Sequence, residues 1–187
     1  FRELGYETKP AMIVRGECVE HEIDGILSRG GEVLCLEVKH HTQPHAKVRL
    51  EELLKLKSVF EDIRRGYERG VNEFPVNRAI LVSNAKFSEM AVRYARCVGM
   101  MVLGWNTPEG RGIEKLIDRY GLYPVTCLKE LSREQVLRLC DAGVCTLKTL
   151  VRLGVDEVRG RTGLPKRLVG KMVSDASRFL EAHGIQV

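Results

Sequence analysis

The sequence predicts an α/β fold over residues 1–125, followed by a small all-α domain over residues 126–187. Two β-rich runs near the N-terminus form a hairpin, and in the middle of the chain two apolar strands flank a helix. Beyond residue 125 the strand runs stop, and short helices separated by glycines take their place. These three observations place the domain boundary near residue 125.

The hairpin is predicted from two short runs and the turn between them. Residues 18–27 (CVEHEIDGIL) alternate over part of their length and are β-rich in their apolar members. Residues 28–31 (SRGG) supply turn residues, and residues 32–39 (EVLCLEVK) form the second β-rich run. In front of the hairpin, a helix stops at Gly5 and residues 7–15 are extended.

The middle of the chain alternates between helix and strand. A helix is predicted from about Lys47 to Tyr67, because apolar residues recur there at helical spacing. Residues 77–84 (NRAILVSN) are almost wholly apolar, as expected of a strand covered on both faces. A helix capped by Ser88 and another buried strand over residues 100–105 follow. This order predicts a parallel crossover connection.

Composition excludes several classes of protein. The chain is 44% hydrophobic and 29% charged, and no apolar run approaches the roughly 20 residues that span a bilayer. The net charge of +5 permits an anionic partner such as nucleic acid without requiring one.

Six cysteines without a C-x-x-C pair are interpreted as reduced core residues, which favours a cytoplasmic location. The chain begins at Phe1 without a methionine, so we expect that an upstream segment has been removed.

Three charged residues stand on the predicted hairpin, where burial without partners would cost several kcal/mol. Side chains two residues apart share a strand face, so Glu37 and Lys39 point the same way, and Asp24 on the partner strand can come alongside Glu37. Carboxylates hold a hard cation such as Mg²⁺, and a neighbouring lysine can orient an attacking water or help to deprotonate it. The three residues therefore predict phosphodiester hydrolysis, although a lone E-x-K triplet is usually a solvated strand face.

The same region resembles a known superfamily. The order of elements, together with the segments HEID, LEVK, SNAKFS and GW that begin at residues 21, 36, 83 and 104, is similar to the PD-(D/E)XK restriction-endonuclease-like superfamily. Within it, the chain looks most like the Mrr-like nuclease domains that occur beside ATP-cone modules. The resemblance covers about residues 1–125 and implies a mixed β-sheet flanked by helices. It also implies metal-dependent DNA cleavage, and a nucleotide-binding module upstream of this chain.

The resemblance assigns roles to residues of the hairpin. It implies that Asp24 and Glu37 bind Mg²⁺ or Mn²⁺, that the Val38 carbonyl is a further ligand, and that Lys39 is the catalytic lysine. His21, within the HEID segment, is a candidate for a direct catalytic role. The alternative for His21 is a hydrogen bond that orients its neighbours.

This sequence departs from the pattern of the superfamily at two places. No proline precedes Asp24, a position that is loose in the superfamily. Many members carry an acidic residue on the first helix, which is cut short here, so Glu3 and Glu17 are the candidates to complete the metal site.

Trp105 follows a buried strand and is interpreted as a packing residue rather than a base-stacking one.

The predicted partner is DNA, double-stranded or branched. The C-terminal domain resembles tandem helix-hairpin-helix units with turns at residues 142–144 and 163–165, where backbone amides approach a phosphate and helix dipoles favour an anion. Its alternative is a small helical bundle for dimerisation or packing. The candidate DNA-binding residues are Lys47, Arg49, Gly143, Gly163, Lys166, Arg167 and Lys171.

Three functions remain open at this point. The first is a DNA endonuclease of restriction or repair type, which would need a homodimer to cut both strands. The second is a catalytically silent DNA-binding or regulatory module of the same fold. The third is a structural interaction protein, which would bind DNA without steep salt dependence or not at all.

Overall fold

In a computed structural model, the chain is described over residues 1–43 and 45–186 and divides into two compact units. The first unit is Phe1–Glu114, and the second begins at Lys115. The strands are β1 (Glu7–Arg15), β2 (Glu20–Arg29), β3 (Glu32–Lys39), β4 (Lys47–Val48), β5 (Arg78–Ser83), β6 (Lys86–Phe87) and β7 (Met101–Leu103). The helices are α1 (Leu50–Glu68), α2 (Glu89–Cys97), α3 (Ile113–Tyr120), α4 (Arg133–Asp141), α5 (Leu147–Thr162) and α6 (Lys166–Ala182).

The first unit is built on a five-stranded mixed sheet in the order β1-β2-β3-β5-β7. Strands β1, β2 and β3 are antiparallel, whereas β3, β5 and β7 are parallel. Helix α1 connects β3 to β5 and α2 connects β5 to β7, so the parallel crossover expected from the sequence is confirmed. The fold is thus mixed α/β, as predicted.

Both faces of the central strands are buried. Ala79 and Leu81 of β5 belong to a core cluster with α1 and α2, while Ile80 and Val82 belong to a cluster on the other face. This explains why β5 reads as a continuous apolar run rather than an alternating one.

Helix α1 begins later than predicted and ends within one residue of the predicted end. Lys47 lies in β4, so the helix begins at Leu50, and it continues to Glu68 through Gly66, which is buried. A Cβ on Gly66 would lie 2.8 Å from the carbonyl carbon of Gly16 and 2.8 Å from Nδ2 of Asn72. Gly66 is therefore a point of close approach between α1 and the end of β1, rather than a helix stop.

Strands β4 and β6 form a second, two-stranded parallel sheet that the sequence did not predict. Each strand has two residues, and Lys47 is in register with Lys86. Two residues are too few to show the alternation of a strand. The pairing of β4 with β6 also joins segments that are distant in sequence, so no local pattern indicates it.

The second unit is helical and has its own buried core. Leu139, Leu147, Leu150, Val169 and Leu180 are among the residues of that core. The turns predicted at residues 142–144 and 163–165 are present, and the backbones of Gly143 and Gly163 are left-handed. Helix α5 is interrupted at Gly154, whose φ of 72° and ψ of 179° are not helical.

The division between the units falls inside α3, earlier than the boundary near residue 125. The segment after α3 is bonded to the start of α5, because the Val125 amide donates to the Cys145 carbonyl and the Leu147 amide to the Tyr123 carbonyl, at 3.0 and 2.8 Å. These contacts assign residues 115–125 to the second unit. Within residues 1–43 and 45–186, no helix combines the length and apolarity that crossing a membrane requires.

A capping box gives a first prediction for the second unit. The Ser132 hydroxyl accepts a hydrogen bond from the Gln135 amide, and the Gln135 side chain accepts one from the Ser132 amide. We expect Ser132→Ala to destabilise the second unit by about 1 kcal/mol, because the N-terminus of α4 loses one partner. Urea unfolding followed by circular dichroism measures this loss. Ser174→Ala, in the exposed middle of α6, should leave the midpoint unchanged, and an equal effect of the two variants would contradict the capping role.

Candidate functional site

The β2–β3 ladder ends where the predicted acidic residues lie. The last ladder pair joins Gly25 to Leu36, and Asp24 is one residue beyond it. Oδ2 of Asp24 accepts a hydrogen bond of 2.7 Å from the backbone amide of Val38. The Asp24 carboxylate therefore occupies the place that a backbone carbonyl of β2 would take if the ladder continued. In a strand, the carbonyl of Val38 projects to the same edge as its amide, hence toward Asp24.

An irregularity in β1 accompanies this placement of Asp24. The β1–β2 register passes over Ala11 and Asp24, and Ala11 has a φ of 35°. Ile23 and Ile26 are three residues apart yet pack in the same core, so the side-chain alternation of β2 shifts by one residue between them. A Cβ on Gly25 would lie 2.7 Å from a backbone carbonyl oxygen of β1, so glycine is needed at this close approach.

Glu37 and Lys39 project from the same face of β3 and form a direct ion pair. The pKa of Lys39 is raised above its ordinary value by its hydrogen bond to Glu37. Desolvation opposes this effect, and the negative charges of Glu37, Asp24 and Glu52 add to it. Lys39 is therefore held as an ammonium among three carboxylates. The structure thus brings together Asp24, Glu37 and Lys39, the three residues on which the predicted chemistry depends.

Cys35 precedes Glu37 by two residues on the same face of β3 and is fully buried. Burial raises the pKa of its thiol to about 12, and the charge of Glu37 contributes. Cys35 is thus a neutral core residue and not a thiolate ligand. All six cysteines are free, as predicted, but the prediction that they are core residues holds only for Cys35. Cys140 is partly buried, and the other four are exposed: Cys18, Cys97, Cys127 and Cys145.

Sequence reasoning did not identify Glu52 as part of this site, and it placed His41 near the hairpin only as one of several histidines, without a partner. Glu52 lies in the first turn of α1, and its Oε2 is 4.0 Å from Nε2 of His41. Among the described residues, both atoms are shielded from solvent and have no hydrogen-bond partner. The only sequence signal was an acidic pair, Glu51 and Glu52, soon after β3, and it gives no indication that one of the two faces the strand ends.

His21 is held by a different network. Its Nε2 lies 2.8 Å from Oδ2 of Asp62, a buried carboxylate on α1. Asp62 also accepts from the amides of Cys18 and Val19, at 3.0 and 3.3 Å. Burial alone would raise the pKa of Asp62, but the hydrogen bonds from His21, Cys18 and Val19 outweigh burial and lower it. Within the described chain, the hydrogen bond of His21 is to Asp62 rather than to Asp24 or Glu37.

Of the two residues predicted to complete the metal site, Glu17 belongs to the same network as His21. It forms ion pairs with Arg65 and Arg69, at 3.1 and 3.3 Å. Ligand atoms of Glu17, Cys18 and Asp62 lie within 4.8 Å of one another. The arginines and the hydrogen bonds to Asp62 already account for this cluster. Glu3, the other candidate, lies on a single 3₁₀ turn in front of β1.

The polar residues at the end of β5 position the loop after β3. The Ser83 hydroxyl donates to the Lys39 carbonyl at 2.7 Å. The Asn84 side chain accepts from the His41 amide and donates to the His41 carbonyl, both at 2.8 Å. Ser88 caps α2, as predicted. These bonds fix the backbone on both sides of the candidate site.

The predicted DNA-binding residues are distributed over both units. Lys47 in β4 and Arg49 at the N-cap of α1 are exposed, and in the second unit Arg167 is exposed beside the second turn. Lys166 pairs with Asp156 at 3.1 Å and Lys171 pairs with Glu130 at 2.5 Å, and all four of these side chains are more than half exposed. A Cβ on Gly143 or Gly163 would meet nothing within 4 Å, so both turns are open to approach.

Trp105 was predicted to be a packing residue, but the structure leaves its side chain half exposed. It is 50% exposed, because it is the first of two residues in a tight turn closed by hydrogen bonds between Gly104 and Thr107. A buried strand ending just before it gave no indication of this turn.

Comparison with known proteins identifies relatives without an assigned activity. No family model matches the chain. An uncharacterized protein of Archaeoglobus fulgidus is 34% identical over 179 residues, which cover 95% of this chain and 96% of that protein. The crystal structure of a protein of unknown function matches with a TM-score of 0.83 and 34% identity, over 97% of this chain and 92% of that one.

Proposed function

The chain belongs to the same family as the uncharacterized Archaeoglobus fulgidus protein, and we propose that it is a metal-dependent DNA endonuclease of the restriction-endonuclease-like, PD-(D/E)XK type, with an Mrr-like nuclease unit. The observation that carries the proposal is the meeting of Asp24, Glu37 and Lys39 beyond the last pair of the β2–β3 ladder. Two acids and an ammonium at one strand end form the residue set that the resemblance implies for phosphodiester hydrolysis.

The donor atoms at this site fit a hard divalent cation. Asp24 and Glu37 offer carboxylate oxygens, and the Val38 carbonyl projects to the same edge as the Asp24 carboxylate. Glu52 adds an oxygen that is shielded from solvent and lacks a hydrogen-bond partner in the described chain. Mg²⁺ and Mn²⁺ prefer oxygen ligands, so these four groups are the candidates to hold one of them. Glu52 thereby replaces Glu3 and Glu17 as our candidate for the additional acid.

The residues of the chain have distinct roles in the proposed hydrolysis. A bound divalent cation would polarise the phosphate and lower the pKa of a bound water. Lys39, held as an ammonium, donates hydrogen bonds that orient the attacking water or stabilise charge on the phosphate oxygens. Asp24 is fixed by the Val38 amide, so its carboxylate is positioned before substrate binds.

The second unit supports the DNA part of the proposal. Each of its two glycine turns lies between the end of one helix and the start of the next, and the backbone amides and dipole at the N-terminus of that next helix attract a phosphate. We propose that Lys166, Arg167 and Lys171 add charge beside the second turn. Such contacts would hold the DNA backbone without reading bases, so cleavage would be directed by DNA structure or context rather than by a long recognition sequence.

The proposal is tested by metal-dependent nicking of supercoiled plasmid. We expect conversion to the open-circular form with Mg²⁺ or Mn²⁺ and none in excess EDTA, with restoration when Mg²⁺ is added back. Rates measured over a salt series should fall steeply, because phosphate contacts release counterions. Binding without nicking under all metal conditions would instead identify a silent DNA-binding module. If the chain neither binds nor nicks DNA, the nuclease proposal and the silent DNA-binding alternative are both wrong.

A further inference from the structure

A cavity of about 610 Å³ lies beside the candidate site and is used by none of the steps above. We call it the Trp105 pocket; its walls include His41, Lys47, Asn84, Lys86 and Trp105. These residues follow the carboxyl ends of β3, β5 and β7 or belong to the small β4–β6 sheet. The crevice beyond the carboxyl ends of parallel strands is where α/β proteins bind ligands.

The pocket is cationic. Lys47 and Lys86 are in register on adjacent parallel strands, so their side chains leave the small sheet on the same face. Both are exposed, and neither has an ion-pair partner among the described residues. The described residues that line the pocket include no aspartate or glutamate. Two neighbouring ammonium groups without a counter-charge repel each other, and an anionic ligand would relieve this repulsion.

The pocket also has an aromatic wall with a fixed backbone. The Trp105 amide donates to the Ala85 carbonyl at 3.0 Å, and the next residue, Asn106, donates its amide to Glu114 at 2.9 Å. Gly104 permits this packing, because a Cβ there would lie 2.4 Å from the Ala85 carbonyl oxygen. The indole is therefore half exposed on a rigid turn, as expected of a stacking platform.

We propose that the Trp105 pocket binds an unpaired nucleotide of a DNA strand, with the base stacked on Trp105 and its phosphate between Lys47 and Lys86. An anion alone would need the lysines but not the indole, whereas a base within a duplex is already stacked on both sides and has no free face. This inference rests on the proposed nuclease function, since it names a substrate with unpaired nucleotides for the same site. Such a substrate is a duplex with a flap, a gap or a branch.

Intrinsic fluorescence provides a direct test, because Trp105 is the only tryptophan in the chain. The full chain in EDTA is titrated with a 12-nucleotide oligothymidylate, with a blunt duplex and with thymidine monophosphate. We expect saturable quenching by the oligothymidylate, and affinities at least about tenfold weaker for the duplex and the mononucleotide. Absence of quenching by the oligothymidylate would overturn the proposal. Equally tight binding of the mononucleotide would make the pocket a free-nucleotide site and would also overturn it.

Variants show whether the lysines and the indole act as proposed. Lys86→Ala and Lys47→Ala should each weaken oligothymidylate binding about threefold to tenfold and reduce the salt slope by about 0.7. Trp105→Ala, followed with a fluorescently labelled oligonucleotide, should weaken binding about tenfold, and Trp105→Phe should restore part of the loss. Lys55→Ala removes an exposed charge from α1 outside the pocket and should bind as the parent chain does. Equal affinities of Lys86→Ala and Lys55→Ala would refute the assignment.

A cleavage experiment separates this inference from the proposed function. With Mg²⁺ present, Trp105→Ala should cut a flapped duplex about tenfold more slowly than the parent chain does. If Trp105→Ala and the parent chain cut the flapped duplex at equal rates, and both nick plasmid, the nuclease proposal stays intact and the pocket is rejected. Quenching by the oligothymidylate without nicking in any metal would support the pocket and reject the nuclease.

Discussion

Replacing Lys39 with alanine is expected to lower the rate of Mg²⁺-dependent plasmid nicking by about a hundredfold to a thousandfold. The physical reason is that the ammonium stabilises charge that develops on the phosphate, and the loss of one preorganised donor has an effect of this size. Lys39 is 35% exposed at its side chain and pairs with Glu37 at the end of β3, so its removal leaves the core unchanged. First-order nicking rates at saturating metal measure the effect.

Matched variants distinguish catalysis from general loss of charge. Lys55→Ala removes an exposed lysine on α1 and should keep the parent rate. Asp24→Asn should be at least as defective as Lys39→Ala, and raising the Mg²⁺ concentration should not rescue it. Glu52→Gln should lower the apparent metal affinity more than the maximal rate. If Lys39→Ala and Lys55→Ala nick plasmid within threefold of each other, the proposed site is wrong.

Asp62→Asn is expected to destabilise the first unit by about 2–3 kcal/mol at neutral pH. The Asp62 carboxylate is 6% exposed and accepts hydrogen bonds from two backbone amides and from His21. An amide at this position keeps only one acceptor oxygen, and hydrogen bonds to a charged acceptor are among the stronger ones. Guanidinium unfolding followed by Trp105 fluorescence reports on this unit alone.

The difference in unfolding free energy between the parent chain and Asp62→Asn should depend on pH in a definite direction. The pKa of Asp62 is lowered in the folded chain, because the hydrogen bonds outweigh the effect of burial. Its stabilising contribution is therefore complete above the ordinary carboxyl pKa of 3.8 and is lost as the pH falls through the lower folded-state pKa. The gap between the parent chain and Asp62→Asn should be constant from pH 7 to about 5 and should narrow in stronger acid.

A control on the same helix isolates the buried network. Glu68→Gln removes an exposed carboxylate that pairs with Arg64 on α1, and should cost less than about 0.5 kcal/mol. Equal unfolding midpoints for Asp62→Asn and Glu68→Gln would show that the network around Asp62 contributes no special stability.

The local features of the fold were predictable because short stretches of sequence encode them. Alternation over 18–27 and the glycines at 30 and 31 indicated the β2–β3 hairpin, and the apolar run of β5 indicated a strand covered on both faces. The glycines at 143 and 163 indicated two turns, because only glycine adopts a left-handed backbone without strain.

The candidate site was predictable in its residues but not in its geometry. Strand spacing placed Glu37 and Lys39 on one face, and the hairpin placed Asp24 nearby. The hydrogen bond from the Val38 amide to Asp24 forms opposite an irregularity at Ala11 in β1. Periodicity cannot detect an irregularity of this kind, because it arises from packing against a third strand.

The amino-acid sequence by itself determined the mixed α/β fold of the first unit, the helical second unit and the acidic and basic residues of the β2–β3 hairpin. Only the tertiary structure decided that Glu52 joins this site beside His41, that His21 bonds to Asp62, and that Trp105 is exposed beside Lys47 and Lys86. The physical reason is the range of the interactions. Strand alternation, helix periodicity and turn preferences act over a few residues, whereas these contacts join segments that come together only when the sheet forms.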